Sequence, residues 1–172
     1  MDVWTAIRGK RAVRQFTDAP LPEDVIYRIL DAGRRAQSSR NSQPWDFIAV
    51  QDRATLQALS TCGDYMGHVA GAALCVALVT PSPDDNERYA WNMFDIGQSA
   101  AYMQLAAQAM GVGSCLGTVY DVARARALLG FPEDRHLTIV ISFGYPHPDA
   151  LRPRQGKAGR RPFDDVVHWE RW

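Results

Sequence analysis

Residues 94–115 read FDIGQSAAYMQLAAQAMGVGSC, and the architecture around them depends on what that run forms. It is built from good helix formers, and the pattern extends upstream to predict one long helix from Asn86 to Met110. Met93, Phe94, Ile96, Ala100, Ala101, Tyr102, Met103, Leu105 and Ala106 make that helix apolar nearly all round. A helix of this kind belongs in the middle of the molecule or in a subunit interface. The glycine-rich GVGSCLG follows it.

Working outward, a helix is expected around Val122 to Leu129, then the strand HLTIVISFGY. Upstream, PSPDDNE is a surface turn that caps the long helix, and Ala73 to Thr80 is an apolar buried strand. Arg53 to Leu59 reads as a helix, Trp45 to Val50 (WDFIAV) as a strand, and SSRNSQP before it as a polar loop. Pro22, Glu23 and Asp24 open another helix, whose apolar face is Val25, Ile26, Ile29, Leu30 and Ala32 and which ends near Ala36. Asp2 to Gly9 is a short helix with Asp2 as its cap. After Pro146 the chain becomes rich in proline, glycine and arginine. Residues 1–172 therefore read as one domain, with 147–172 an arm ending in DDVVHWERW that docks elsewhere.

Nineteen basic residues balance nineteen acidic ones, so no overall field draws the chain to nucleic acid or to a membrane surface. No basic stripe with interleaved aromatics is present, and no apolar run approaches the roughly 20 residues of a membrane span. The opening lacks the apolar core of a secretory signal. Cys62, Cys75 and Cys115 are odd in number and distant from one another, and His68, His136, His147 and His168 are scattered. Reduced thiols in a cytoplasmic protein are expected, without a metal site.

Three segments could carry chemistry. Lys10, Arg11 and Arg14 near the start, with Lys157, Arg160 and Arg161 near the end, could converge on one phosphate or remain solvated surface. Asn41 and Gln43 offer amides to the edge of a heterocycle, or belong to an ordinary helix-to-strand connection. In GVGSCLG, Gly111 to Gly117, the spacing is wrong for a dinucleotide fingerprint and the segment follows a helix. Residues Gly113–Gly117 fit a thiol version of the G-x-S-x-G elbow, which makes a Cys115–His136 or Cys115–His147 hydrolase an alternative function. Their glycines could instead bring backbone N–H groups close to a planar ligand.

Together the segments resemble the nitroreductase family of flavoproteins. KRAVRQF resembles its R-R-S-V-R-x-F opening, and AQSSRNSQPWDF its A-P-S-x-x-N-x-Q-P-W-x-F loop. The run from Phe94 to Cys115 is similar to its D-x-G-x-A-x-x-N-L-x-L-A-A-x-x-L-G-L-G-S-C segment, and FGYP…GRRPFDDVV to its ending. The resemblance implies an α+β, three-layer α-β-α fold with a central, mainly antiparallel sheet, in an intertwined homodimer whose arm wraps the partner. It implies FMN as cofactor, NADH or NADPH as reductant, and a small acceptor such as a nitroaromatic or quinone. The family also holds members with other flavin or deazaflavin chemistry. Lys10, Arg11, Ala12 and Arg14 would hold the FMN phosphate and its neighbours, closed from the tail by Arg160 and Arg161. Ser38, Ser39, Asn41 and Gln43 would come from the other subunit, and Gly113, Ser114, Cys115, Leu116 and Gly117 would line the ring. The chain departs from the pattern at Ala12, where a serine is usual, and at Ala158, where a tail cation is common.

Overall fold

A computed structural model describes residues 1–151 and 159–172. Five helices are present among them: α1 (Val3–Gly9), α2 (Glu23–Arg34), α3 (Arg53–Leu59), α4 (Asn86–Ala109) and α5 (Val122–Leu129). The strands are β1 (Asp46–Val50), β2 (Leu74–Pro81), β3 (Gly113–Thr118) and β4 (Arg135–Gly144). Asp2, Asp52, Asp85 and Asp121 each accept the N–H three residues on and so start α1, α3, α4 and α5. α2 follows Pro22 and carries Glu23 and Asp24 in its first turn instead.

The strands form one antiparallel sheet in the order β1-β2-β4-β3. β2 sits inside it and is covered on both faces, which is why its sequence is a continuous apolar run rather than an alternation. Leu74, Val76 and Leu78 join Ile141 and Phe143 and pack under α2 and α4 through Ile29, Ile96 and Met103. Cys75, Ala77 and Val79 face the other way, onto Leu56 and Leu59 of α3 and Ala125 of α5. The result is three layers, α-β-α. A bulge at Thr138 breaks the β2–β4 register between Leu78 and Val79. It lets Ile139 pack on the first layer while Leu137, of the same parity, enters the second.

GVGSCLG, to which the sequence assigns no element, is from Gly113 the edge strand β3, paired with β4 from Gly113–Gly144 to Thr118–Ile139. One expectation needs correction: α4 is not apolar nearly all round. It buries Asn92, Asp95, Ser99 and Gln104, while Trp91 and Phe94 are 50% and 62% exposed. Each buried polar side chain fastens a different segment. Asn92 donates to the Pro81 carbonyl (3.4 Å), Asp95 accepts from the Ser39 N–H (3.1 Å), Ser99 donates to the Gly33 carbonyl (3.0 Å), and Gln104 donates to Ser114 Oγ (3.2 Å). Burial without such partners would be costly, so the stripe fixes how α4 is rotated about its axis.

Candidate functional site

The cationic opening lies along the free edge of β3. Val13 N–H donates to the Ser114 carbonyl (3.0 Å), and Ala12 bridges Ser114 in parallel. Further on, the N–H of His147 donates to the Gln15 carbonyl (3.0 Å) and that of Thr17 to the Tyr145 carbonyl (2.8 Å). Extended backbone alternates its side chains, so Val13 is buried while Ala12 and Arg14 face outward. Gly113 permits this approach, because a Cβ there would stand 2.8 Å from Val13 Cβ.

Lys10 caps the end of α1 and is half-buried. Burial holds its ammonium below the usual lysine range; the nearby Cys115 opposes that shift, and the Arg160 guanidinium adds to it. The two ends of the chain therefore meet beside β3. Among the described residues, no carboxylate pairs with Lys10, Arg14 or Arg160. Lys10 and Arg160 stand close enough to feel each other without an acidic partner, and an ammonium with a guanidinium is suited to an anion such as a phosphate; Arg14, outward on the same edge, lies near His68. Arg161 points elsewhere and donates to the Asp165 carbonyl within the arm. Lys157 and Ala158 lie outside the described residues.

The amide loop is elsewhere. Ser39–Asn41 form a 3-10 turn, and Arg40 (φ 54°), Asn41 (φ 55°) and Gln43 (φ 48°) are all left-handed. For L residues this costs about 1–2 kcal/mol each, less for Asn, so the surroundings must impose the shape. Asp95 holds the Ser39 N–H, Ser38 Oγ accepts the Gln43 N–H (2.8 Å), and Gln37 donates to Gln98 (2.8 Å). The loop enters β1 at Asp46, which aligns with Val79 and through it with Leu137. Gly113 aligns with Gly144 at the opposite edge and the opposite end of the sheet. Strand spacings put these corners on the order of 25 Å apart. One chain does not bring Asn41 and Gln43 to Lys10 and Arg14.

The Cys115–His136 form of the thiol alternative fails on geometry. Cys115 pairs with Ser142, whereas His136 pairs with Thr80 about 20 Å away along β4. His147 faces Asp149, with Nδ1 3.4 Å from its carboxylate. No group of three His, Cys, Asp or Glu residues among those described could hold a metal ion, and no helix is long and apolar enough to cross a membrane.

Sequence reasoning missed His68. It is 7% exposed, its Nδ1 lies 2.7 Å from Ser142 Oγ, and that hydroxyl donates to the Cys115 carbonyl (3.4 Å). Among the described residues, His68 Nε2 is buried without a hydrogen-bond partner. Burial pulls its pKa below the usual 6.5 and Arg14 adds to this, while the Leu116 carbonyl opposes it. The unfolded chain thus binds the proton more tightly than the native one. Stability should fall as pH drops below about 6.5, with His136, also shifted down, contributing. Urea midpoints between pH 5 and 7.5 should show a shallower acid loss for His68→Gln than for the parent; equal slopes would assign the loss to other groups.

Residues 7–66 and 64–145 match the profile of the nitroreductase family. A relative from Thermus thermophilus named NADH dehydrogenase is 27% identical over 205 residues, covering 98% of this chain and 96% of its own. The crystal structure of nitroreductase A from Vibrio parahaemolyticus superposes with a TM-score of 0.85 at 24% identity, covering 100% of this chain and 78% of that one. An FMN-dependent nitroreductase from Clostridium difficile does so with a TM-score of 0.80 at 23% identity, over 98% and 99%.

Proposed function

Because this chain belongs to the nitroreductase family, we propose that it is an FMN-dependent NAD(P)H oxidoreductase that works as a homodimer. The observation that carries the reading is the approach of Arg160 to Lys10 without an acidic partner, with Arg14 facing outward on the same edge of β3. The Thermus relative is named for NADH and the Clostridium protein for FMN, which supports both halves of the assignment.

Lys10, Arg14 and Arg160 would hold the FMN phosphate, with Arg11 beside them on the same segment. The flavin, when bound, supplies acceptance of hydride from a nicotinamide and its delivery to a small acceptor such as a nitroaromatic or quinone. Ser114 exposes its carbonyl to the outer edge, so strand alternation turns the Leu116 N–H outward as well. That N–H can donate to a ring lying along Gly113–Gly117 and stabilise negative charge on it. No acid or base needs to be supplied by the protein for such an exchange.

Asn41 and Gln43 reach the ring only from a second subunit, because their own cations lie at the far corner of the sheet. The arm would pack on that partner: Phe163, Trp169 and Trp172 are 62%, 76% and 100% exposed in the single chain. Purified protein should be yellow and release FMN on denaturation, and bound flavin should bleach on adding NADH or NADPH. Protein that is colourless and takes up no added FMN would overturn the assignment.

A further inference from the structure

The loop that presents Asn41 and Gln43 is set by one buried carboxylate. Asp95 is 2% exposed, and its Oδ2 accepts the Ser39 N–H at 3.1 Å from the inner face of α4. An apolar side chain would fill the same space without the cost of burying a charge. The three residues that follow Ser39 toward the ligand include two in the left-handed region, and Gln43 is a third. Asn41 tolerates that path, but nothing intrinsic to Arg40 or Gln43 favours it, so the tie to Ser39 helps select it.

We propose that Asp95 is a positioning residue of the shared site, holding the Ser39 backbone so that the Asn41 and Gln43 amides face the flavin of the partner subunit. This rests on the FMN reading above. A carboxylate acceptor makes a stronger bond to a backbone N–H than a neutral one, which suits a tie that must hold a strained path. The neighbouring pair Gln37–Gln98 (2.8 Å) and the buried Pro44 and Trp45 anchor the loop's two ends, leaving Asp95 to fix its middle.

The test compares Asp95→Ala and Asp95→Asn with the parent, all without cofactor and then titrated with FMN. Hydrogen exchange should show Ser39–Gln43 amides released in Asp95→Ala while α4 stays protected. Its FMN Kd should rise about tenfold, the expected result of losing one hydrogen bond to a charged group. Asp95→Asn keeps an acceptor oxygen and should stay within about threefold of the parent in Kd. Released amides with an unchanged Kd would overturn the proposal, and so would unchanged exchange at Ser39. A lowered melting temperature with both readouts unchanged would show a merely structural role. Should Asp95→Ala not fold, Ser38→Ala removes the second tie, to the Gln43 N–H, and must raise Kd while freeing that amide. If the parent itself binds no FMN, the FMN reading fails, and the exchange data still decide whether Asp95 holds the loop.

Discussion

Replacing Arg14 with Ala will weaken FMN binding by roughly 10- to 150-fold, the range for one lost hydrogen bond to a charged group. The guanidinium projects from the outward side of a strand whose inward residue, Val13, is 4% exposed, so its removal leaves the packing intact. The effect should therefore appear in Kd and not in the urea midpoint of the cofactor-free protein. Lys10 adds a pH signature. Its ammonium is held below the usual 10.5 by burial and by Arg160, and a bound anion would raise it again. FMN affinity should accordingly decline as pH rises below 10.5, where an unshifted lysine would still be charged. Fluorescence titration of FMN from pH 7 to 10, with and without Arg14→Ala, measures both. An Arg14→Ala protein with parental affinity would remove Arg14 from the phosphate contact.

Gly113→Ala should do more damage than its size suggests. The new Cβ would lie 2.8 Å from both Cβ and Cγ1 of Val13, atoms close to the backbone that do not swing aside. The strand carrying Arg14 must move off β3, stretching the Val13–Ser114 bond and shifting the cations beside it. Overpacking of this kind costs about 1–3 kcal/mol, and here the displaced piece is the proposed phosphate clamp. We expect a lower urea midpoint together with weaker FMN binding. Gly71→Ala, where a Cβ meets nothing within 4 Å, should change neither. Loss of stability with unaltered FMN affinity would separate the edge of β3 from the binding site.

Much of the fold was legible because its signals are local. Aspartates at helix starts, Arg53–Leu59 and Val122–Leu129 as helices, and the doubly covered β2 all follow from caps and apolar runs. β3 was not legible, since Gly113-Ser114-Cys115 lacks the branched and aromatic residues that mark strands. Its glycines answer to Val13, a neighbour that sequence order does not reveal. The polar stripe of α4 was hidden for a similar reason: Asn92, Asp95, Ser99 and Gln104 look like solvent-facing residues until their partners are known. Their spacing of three, four and five residues was the available clue. Which tail cation approaches Lys10 was not legible in the sequence; only the geometry separates Arg160, beside Lys10, from Arg161, turned into the arm. His68 left no trace in the sequence, because its meaning depends on Ser142 across the sheet.

The four ties of α4 also restrict how this protein can change over time. Adding or deleting one residue inside the helix turns everything beyond it by about 100° and carries it about 1.5 Å along the axis. An event between Asp95 and Gln104 would release either the loop or β3, whichever end the rest of the fold let go. Insertions and deletions should therefore be tolerated only at the ends of α4, before Asp85 or after Gly111. Its outer face, carrying Trp91 and Phe94, is free to drift as far as whatever packs against it allows. The helix behaves as a keyed shaft: its surface can be recut, but its phase cannot.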